Sequence, residues 1–197
     1  MSQADNIKST VHNVLRSHKG FSLTELLVTL VLVGLISAAV AGGISMVARS
    51  YTKVVDRADA EQLLSTTVSR ITDELSYARE YATEPITVSA DKKTVDFVSG
   101  LTGMRVRITA GSGAEDSLHM YYYFKDNPSA DDWTEIPMVD SKMKTRMSIN
   151  YNTINYDDGK FVIVGFNVTL KGKNTPIVAM KNEDGTDYEY TVARING

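Results

Sequence analysis

The chain has 197 residues, of which 43% are hydrophobic, with a formal net charge of −3 and no cysteine. This length supplies enough apolar side chains for one domain with a sizeable core. The composition excludes a disulfide scaffold, and the scattered lysines and arginines offer no basic face for nucleic acid.

The first twenty residues form a polar segment with a basic balance. Lys8, Arg16 and Lys19 outnumber Asp5 in it, and the segment has no apolar stretch of its own. Basic residues next to a membrane span stay on the cytoplasmic side. We therefore expect residues 1–20 to lie in the cytoplasm and the following span to run outward.

A long apolar run follows this segment. Residues 26–48 contain no charge, and as a helix they would extend about 35 Å, enough to cross a hydrocarbon core of about 30 Å. Glu25 directly precedes the run, in what would be the first helical turn, where the helix dipole favours negative charge. The pattern predicts one transmembrane helix with a carboxylate at its cytoplasmic end.

The residues around Glu25 form a short motif that is similar to a known processing site. The segment KGFSLTELL, residues 19–27, resembles the processing site of type IV prepilins and pseudopilins. The resemblance implies that a prepilin peptidase cuts between Gly20 and Phe21 and methylates the Phe21 amine, and that Glu25 takes the position of the family's glutamate. It also implies two kinds of partner, other pilin or pseudopilin subunits and the inner-membrane assembly platform.

Glu25 is best interpreted as an assembly residue. In a filament, the amine of a neighbour's Phe21 can pair with Glu25, so that neither charge is buried alone. The alternative is a carboxylate that merely rests at the membrane surface, where its cost is small.

Small residues favour close approach of such helices. Gly34, Ala38 and Gly42 recur at every fourth position, a spacing typical of packed membrane helices. Gly34 and the pair Gly42-Gly43 also lie about where members of the resembled family unwind on entering a filament. Each glycine costs roughly 1 kcal/mol relative to alanine in a helix, so we expect local melting there on assembly.

Two other interpretations stay open. Ala39-Val40-Ala41 has the A-x-A pattern of a secretory cleavage site, although the apolar run continues past it. The chain could also be a membrane-anchored, extracytoplasmic binding or adhesion protein that uses its N-terminus only for export and does not polymerise.

A second helical pattern follows the apolar run, over residues 49–84. Its apolar positions step by four, three, four and three, and we place Glu74 among the charged residues of the other faces. The helix is expected to end near Glu84, because Pro85 disfavours helical backbone before it. The predicted apolar stripe consists of Leu64, Val68, Ile71, Leu75 and Ala78.

The remaining residues, 85–197, alternate in short segments typical of strands. Alternation places Met104, Val106 and Ile108 inward and Arg105 and Arg107 outward, as in an antiparallel sheet with one solvated face. The patterns predict an α+β fold, a long N-terminal helix over residues 21–84, membrane-embedded in its first half, packed on an antiparallel β-sheet. The resemblance implies that this fold is type IV pilin-like. The predicted strands are 86–90, 94–100, 104–110, 118–125, 146–152, 161–172 and 188–195, with turns at 157–159 and 183–185.

No catalytic or cofactor motif is present, so we expect a structural subunit and not an enzyme. His119 is interpreted as a surface residue, and residues 182–187 are a weak calcium candidate because their spacing departs from known loops. The residues Tyr121, Tyr122 and Tyr123 could form an adhesive face, but three consecutive strand residues point both ways, so core packing accounts for at least one. Segment 73–79 resembles the helix of minor, tip-located pseudopilins.

Overall fold

The computed structural model describes residues 22–123 and 133–195. The chain divides into two compact units, residues 1–52 and 53–197, and each is treated separately below. The predictions for the leader, Gly20 and Phe21 fall outside the described residues.

One long helix, α1, extends from Leu23 to Ser76. It begins where the amides of Glu25 and Leu26 donate to the Ser22 carbonyl at 3.0 and 3.1 Å. The helix is continuous through Gly34 and Gly42-Gly43 in the single chain, so melting on assembly stays a prediction.

The second part of α1, within the unit 53–197, packs on β-sheets. Ile71 and Leu75 are buried as predicted, whereas Leu64 and Val68 are only partly buried against the core. The centre of the buried stripe lies one position earlier than expected, at Ala60, Leu63 and Thr67. This rotation brings Glu74 inside, where it is 8% exposed, and corrects its predicted place on an outer face.

The helix ends at Ser76 and not near Glu84. The carbonyls at this end accept hydrogen bonds from distant parts of the chain. The Ile195 amide donates to the carbonyl of Ser76 at 2.8 Å, and the Gly100 amide donates to the carbonyl of the next residue, Tyr77, at 2.7 Å. A helix end stops where its unpaired carbonyls find such partners. The next residues, Ala78–Arg79, then pair as a strand.

Twelve strands and one short helix follow α1 within the described residues. All the strand pairings are antiparallel. The strands are β1 Ala78–Arg79, β2 Thr87–Val88, β3 Thr94–Ser99, β4 Arg105–Thr109, β5 His119–Tyr123, β6 Trp133–Ile136, β7 Met147–Asn150, β8 Thr153–Asp157, β9 Lys160–Val164, β10 Asn167–Leu170, β11 Pro176–Ala179 and β12 Glu189–Ala193, and α2 is Ser141–Lys144.

The strands form three sheets, where the sequence suggested one. The largest has the order β1-β3-β4-β5-β6, with β2 also on β3, and the others are β11-β10-β7 and β12-β9-β8. The run 161–172 divides into β9 and β10 because Gly165 has a φ of +72°, a conformation that suits glycine and interrupts a strand.

The alternation in β4 is confirmed, with Val106 and Ile108 fully buried and Arg107 on the solvated face. Met104, predicted to point inward, precedes β4 and is only partly buried. Strands β1, β6, β8 and β11 were not predicted, and the residues of β1 were expected to be helical. The turn at Asp158-Gly159 is confirmed, since φ values of 45° and 73° join β8 and β9 in a tight hairpin.

Candidate functional site

The apolar part of α1 is the surface that intrachain contacts do not explain. The helix is long and apolar enough to cross a membrane, and none of its most apolar window is buried. Its large apolar side chains are exposed by half or more, from Val31 at 51% to Leu23 at 84%. Since such a surface is unfavourable in water, lipid or other helices must cover it.

Glu25 lies in the first turn of α1 and is exposed. Its side chain makes no hydrogen bond or ion pair with another residue of the described ranges 22–123 and 133–195. The macrodipole of the helix favours a carboxylate at this end. The position therefore suits a negative charge that remains free to accept a partner from outside the subunit.

Two hydroxyl groups in the apolar part are satisfied by their own helix. Thr29 Oγ1 donates to the Leu26 carbonyl and Ser45 Oγ to the Gly42 carbonyl, both at 2.9 Å. These bonds remove free polar donors from an exposed apolar surface, as a helix surface in lipid would require.

The small residues in the apolar part of α1 make no packing contact with the rest of the described residues. A Cβ added at Gly34, Gly42 or Gly43 would meet nothing within 4 Å, and Ala38 is exposed. The fold of the chain therefore does not require glycine at these positions. The role of Gly34, Ala38 and Gly42 in packing against other helices stays a prediction.

His119, predicted to be a surface residue, lies partly buried on the solvated face of the largest sheet. Its side chain is 18% exposed, and its ring lies between two carboxylates, Nδ1 at 2.8 Å from Glu135 and Nε2 at 2.9 Å from Asp116. Burial lowers the pKa of His119, but the bonds to Glu135 and Asp116 outweigh it, so the pKa is raised. The described ranges contain no group of three or more acidic, histidine or cysteine side chains placed to hold a metal.

The acidic stretch 182–187 closes a turn. Gly185 has a φ of +84°, and the Asp184 carboxylate accepts from the amide and hydroxyl of Thr186 at 2.9 and 2.6 Å. The Asp187 carboxylate binds Lys181 and Asn152. Their oxygens are therefore directed at different partners and do not converge on one point.

The three tyrosines of β5 divide as the strand pleat requires. Tyr122 packs against the core and its hydroxyl donates to Glu74, which also accepts from Ser99 Oγ at 2.9 Å. Burial and the Glu74 carboxylate raise the pKa of Tyr122. Tyr121 and Tyr123 lie on the opposite face, so the expectation that at least one tyrosine belongs to the core is confirmed.

Two features escaped the sequence analysis. One is the buried bond of Glu74 to Tyr122 and Ser99. The other is a groove on the solvated face of the largest sheet, lined by Asp96, Arg107 and Trp133 among others. For the groove, the only signal in the sequence was the alternation of polar and aromatic residues in three strands. The sequence does not give the register between these strands, so it could not show that the residues lie side by side.

The comparisons with known proteins address the N-terminus. The family model described as the prokaryotic N-terminal methylation motif matches residues 15–41. Comparison with curated proteins found no match, and neither did comparison with solved structures. The motif implies processing by a prepilin peptidase and assembly with other pilin subunits. The chain therefore carries the class III signal peptide of type IV pilins and pseudopilins, and its long apolar helix and antiparallel sheets form an α+β arrangement like that of type IV pilins.

Proposed function

We propose that this chain is a structural subunit, a pilin or pseudopilin, of an extracytoplasmic type IV pilus or type II secretion-like filament, and that it has no enzymatic activity. The precursor spans the cytoplasmic membrane once with its N-terminus inside. Cleavage between Gly20 and Phe21 and methylation of Phe21 release a subunit that an inner-membrane assembly platform extracts from the lipid. Adhesion, DNA uptake and protein secretion are the roles such a filament can serve.

One observation carries the proposal. The exposed apolar surface of α1 carries no charge from residue 26 to residue 48 and is preceded by Glu25, whose side chain has no partner among the described residues. In an assembled bundle the new Phe21 amine of a neighbour would neutralise this carboxylate. A buried charge that loses its partner is strongly destabilising, by about 3–5 kcal/mol. Glu25 therefore selects subunits that are processed and correctly in register.

Substitution of Glu25 tests this role. Glu25→Leu makes the span more apolar, so insertion and cleavage should continue, while the neighbour's amine would be buried alone and assembly should fail. The measurement is sheared surface filament, or co-assembly with a major pilin, relative to processed subunit in the membrane. Normal incorporation of Glu25→Leu at equal membrane abundance would refute the assembly role.

Thr29→Leu is the matched control, because it lies one turn further along the same helix and also replaces a polar side chain by an apolar one. It removes no charge, so assembly should persist. N-terminal sequencing of the wild-type protein should begin at a methylated Phe21. A start at Gly42 would instead establish secretory cleavage after Ala41.

A further inference from the structure

The solvated face of the largest sheet carries a groove of about 660 Å³. Its floor follows the register of the sheet, in which Thr87 pairs with Asp96, Asp96 with Arg107 and Arg107 with Tyr121. These four side chains therefore form one row across β2, β3, β4 and β5. A groove of this size is within the range of small-ligand sites.

The charges within the groove cancel. Arg107 Nε and Nη2 donate to the two Asp96 oxygens at 2.8 and 2.7 Å, a bidentate pair. Such a pair is planar and fixed, and three of the five guanidinium N–H donors remain for a ligand. The groove therefore offers directed donors and acceptors without a net charge, which favours a neutral ligand.

Aromatic rings border the row and are held rigidly. The Arg107 guanidinium lies 4.4 Å from the centre of the Trp133 ring, and Trp133 contacts Tyr123 with ring centres 5.5 Å apart. Tyr121 stacks on His119 at 5.8 Å with the rings inclined by 23°. Rings fixed in this way present apolar surface at little cost in conformational entropy.

Hydroxyl groups complete the lining, from Thr87, Thr94, Thr109 and Tyr121. The Thr94 and Thr109 hydroxyls bond to each other at 2.7 Å and keep further acceptor positions, whereas the Ser89 hydroxyl is already engaged by Asp91 and Thr94. Hydroxyls both donate and accept, so they match a ligand that is itself rich in hydroxyls. An extended peptide is a poorer match, because peptides add to the edge of a sheet through main-chain hydrogen bonds. This groove lies across the face, where the main chains of β3, β4 and β5 already pair with one another.

We propose that this groove, formed by Asp96, Arg107, Tyr121 and Trp133, binds a neutral oligosaccharide. The C–H faces of the sugar rings rest on Tyr121 and Trp133, while the ring hydroxyls bind Asp96, Arg107 and the threonines. The site lies within the unit 53–197 and does not depend on polymerisation. A filament that displays this site would attach to a polysaccharide surface.

Trp133 gives a direct measurement, because it is the only tryptophan of the chain. Full-length protein in detergent micelles is titrated with cellohexaose, chitohexaose and maltohexaose, each to about 10 mM, which covers the weak affinities expected of an open site. At least one of them should produce a saturable change in tryptophan fluorescence. No change with any of the three would overturn the proposal.

Three variants locate the binding. Tyr121→Ala should weaken it by roughly tenfold or more through lost stacking, and Tyr121→Phe should retain most of it. Asp96→Asn should weaken binding by disrupting the pair with Arg107. Circular dichroism verifies that each variant is folded.

Tyr188→Ala is the matched control, since Tyr188 is exposed and does not line the groove. It should bind as the wild type does. Binding that is unchanged in Tyr121→Ala and Asp96→Asn would place the sugar elsewhere and overturn the proposal. So would a loss of self-association in these variants without saccharide binding, because the groove would then be covered by a second copy of the chain.

Discussion

The two parts of α1 carry similar apolar residues in opposite settings. In the unit 1–52 the large apolar side chains are exposed, from Leu26 to Val47, whereas in the unit 53–197 the side chains of Ile71 and Leu75 are almost completely buried. The same helix also holds two carboxylates in apolar surroundings. Glu74 binds Ser99 and Tyr122 of its own chain, and Glu25 has no such partner among the described residues.

This difference separates residues that fold the chain from residues that serve contacts outside it. In the second part, the identity of each buried residue follows from packing within the chain. In the first part, neither the apolar side chains nor the glycines are required by a contact within residues 22–123 and 133–195. Their reason lies in what surrounds the subunit, and substitutions in the two parts should therefore have different consequences.

The largest expected effect comes from the same substitution in each part. Leu75→Asp places an unpaired carboxylate in the core, and the cost should exceed a typical domain stability of about 5–15 kcal/mol or consume most of it. Leu35→Asp should leave the unit 53–197 folded and oppose membrane insertion by about 2.5–3.5 kcal/mol.

The measurements are thermal unfolding followed by circular dichroism and the membrane fraction of the protein. Ser69→Asp, on an exposed position of the same helix, is the control for Leu75→Asp. A cooperative transition in Leu75→Asp at the wild-type temperature would contradict the buried stripe.

The carboxylate Glu74 should be replaceable only together with its partner. Glu74→Leu leaves the buried hydroxyls of Tyr122 and Ser99 without an acceptor, and each such group costs about 1–3 kcal/mol. Addition of Tyr122→Phe should recover part of this loss. The free energies of unfolding of both single variants and the double variant form a cycle, and simple additivity would show that the bond between Glu74 and Tyr122 has no coupling.

Glycine substitutions sharpen the same contrast on a smaller scale. An alanine Cβ at Gly100 would lie 2.4 Å from the Tyr77 carbonyl oxygen, so Gly100→Ala should destabilise the unit 53–197 by about 1–3 kcal/mol. Gly34→Ala meets nothing and should favour the helix by roughly 1 kcal/mol. Urea titration measures the free energy of unfolding of both variants. If Gly34→Ala lost as much stability as Gly100→Ala, the first part of α1 would contribute to the stability of the unit 53–197.

The smallest expected effect is a dependence of stability on pH at His119. Because the pKa of His119 is raised in the folded state, its bonds to Glu135 and Asp116 stabilise fully below the unfolded value of about 6.5. This contribution is lost as pH rises through the higher folded pKa. The difference in unfolding free energy between wild type and His119→Gln, measured from about pH 5 to about pH 9, should therefore shrink with rising pH, and a constant difference would refute the charged arrangement.

Local patterns predicted the parts of this fold that depend on neighbours in sequence. The apolar run, the position of Glu25, the alternation in β4 and the turn at Asp158-Gly159 are all such features, and the methylation motif is a continuous segment. The end of α1 could not be predicted, because Ser76 and Tyr77 bind Ile195 and Gly100, which are distant in sequence. The surroundings of Glu74 and His119 and the groove at Trp133 depend on strand register for the same reason.

The capture of the Ser76 carbonyl by Ile195 also has a consequence for the order of folding. Strand β12 pairs with β9 along its whole length, and the residue two positions beyond it ends the helix that begins the unit. The first and last elements of this unit are therefore in contact although they are far apart in sequence. Contacts of such high contact order form slowly during folding. During synthesis, residues 53–188 would present an unfinished core with an open sheet edge, and the stable unit would appear only when the final strand arrives.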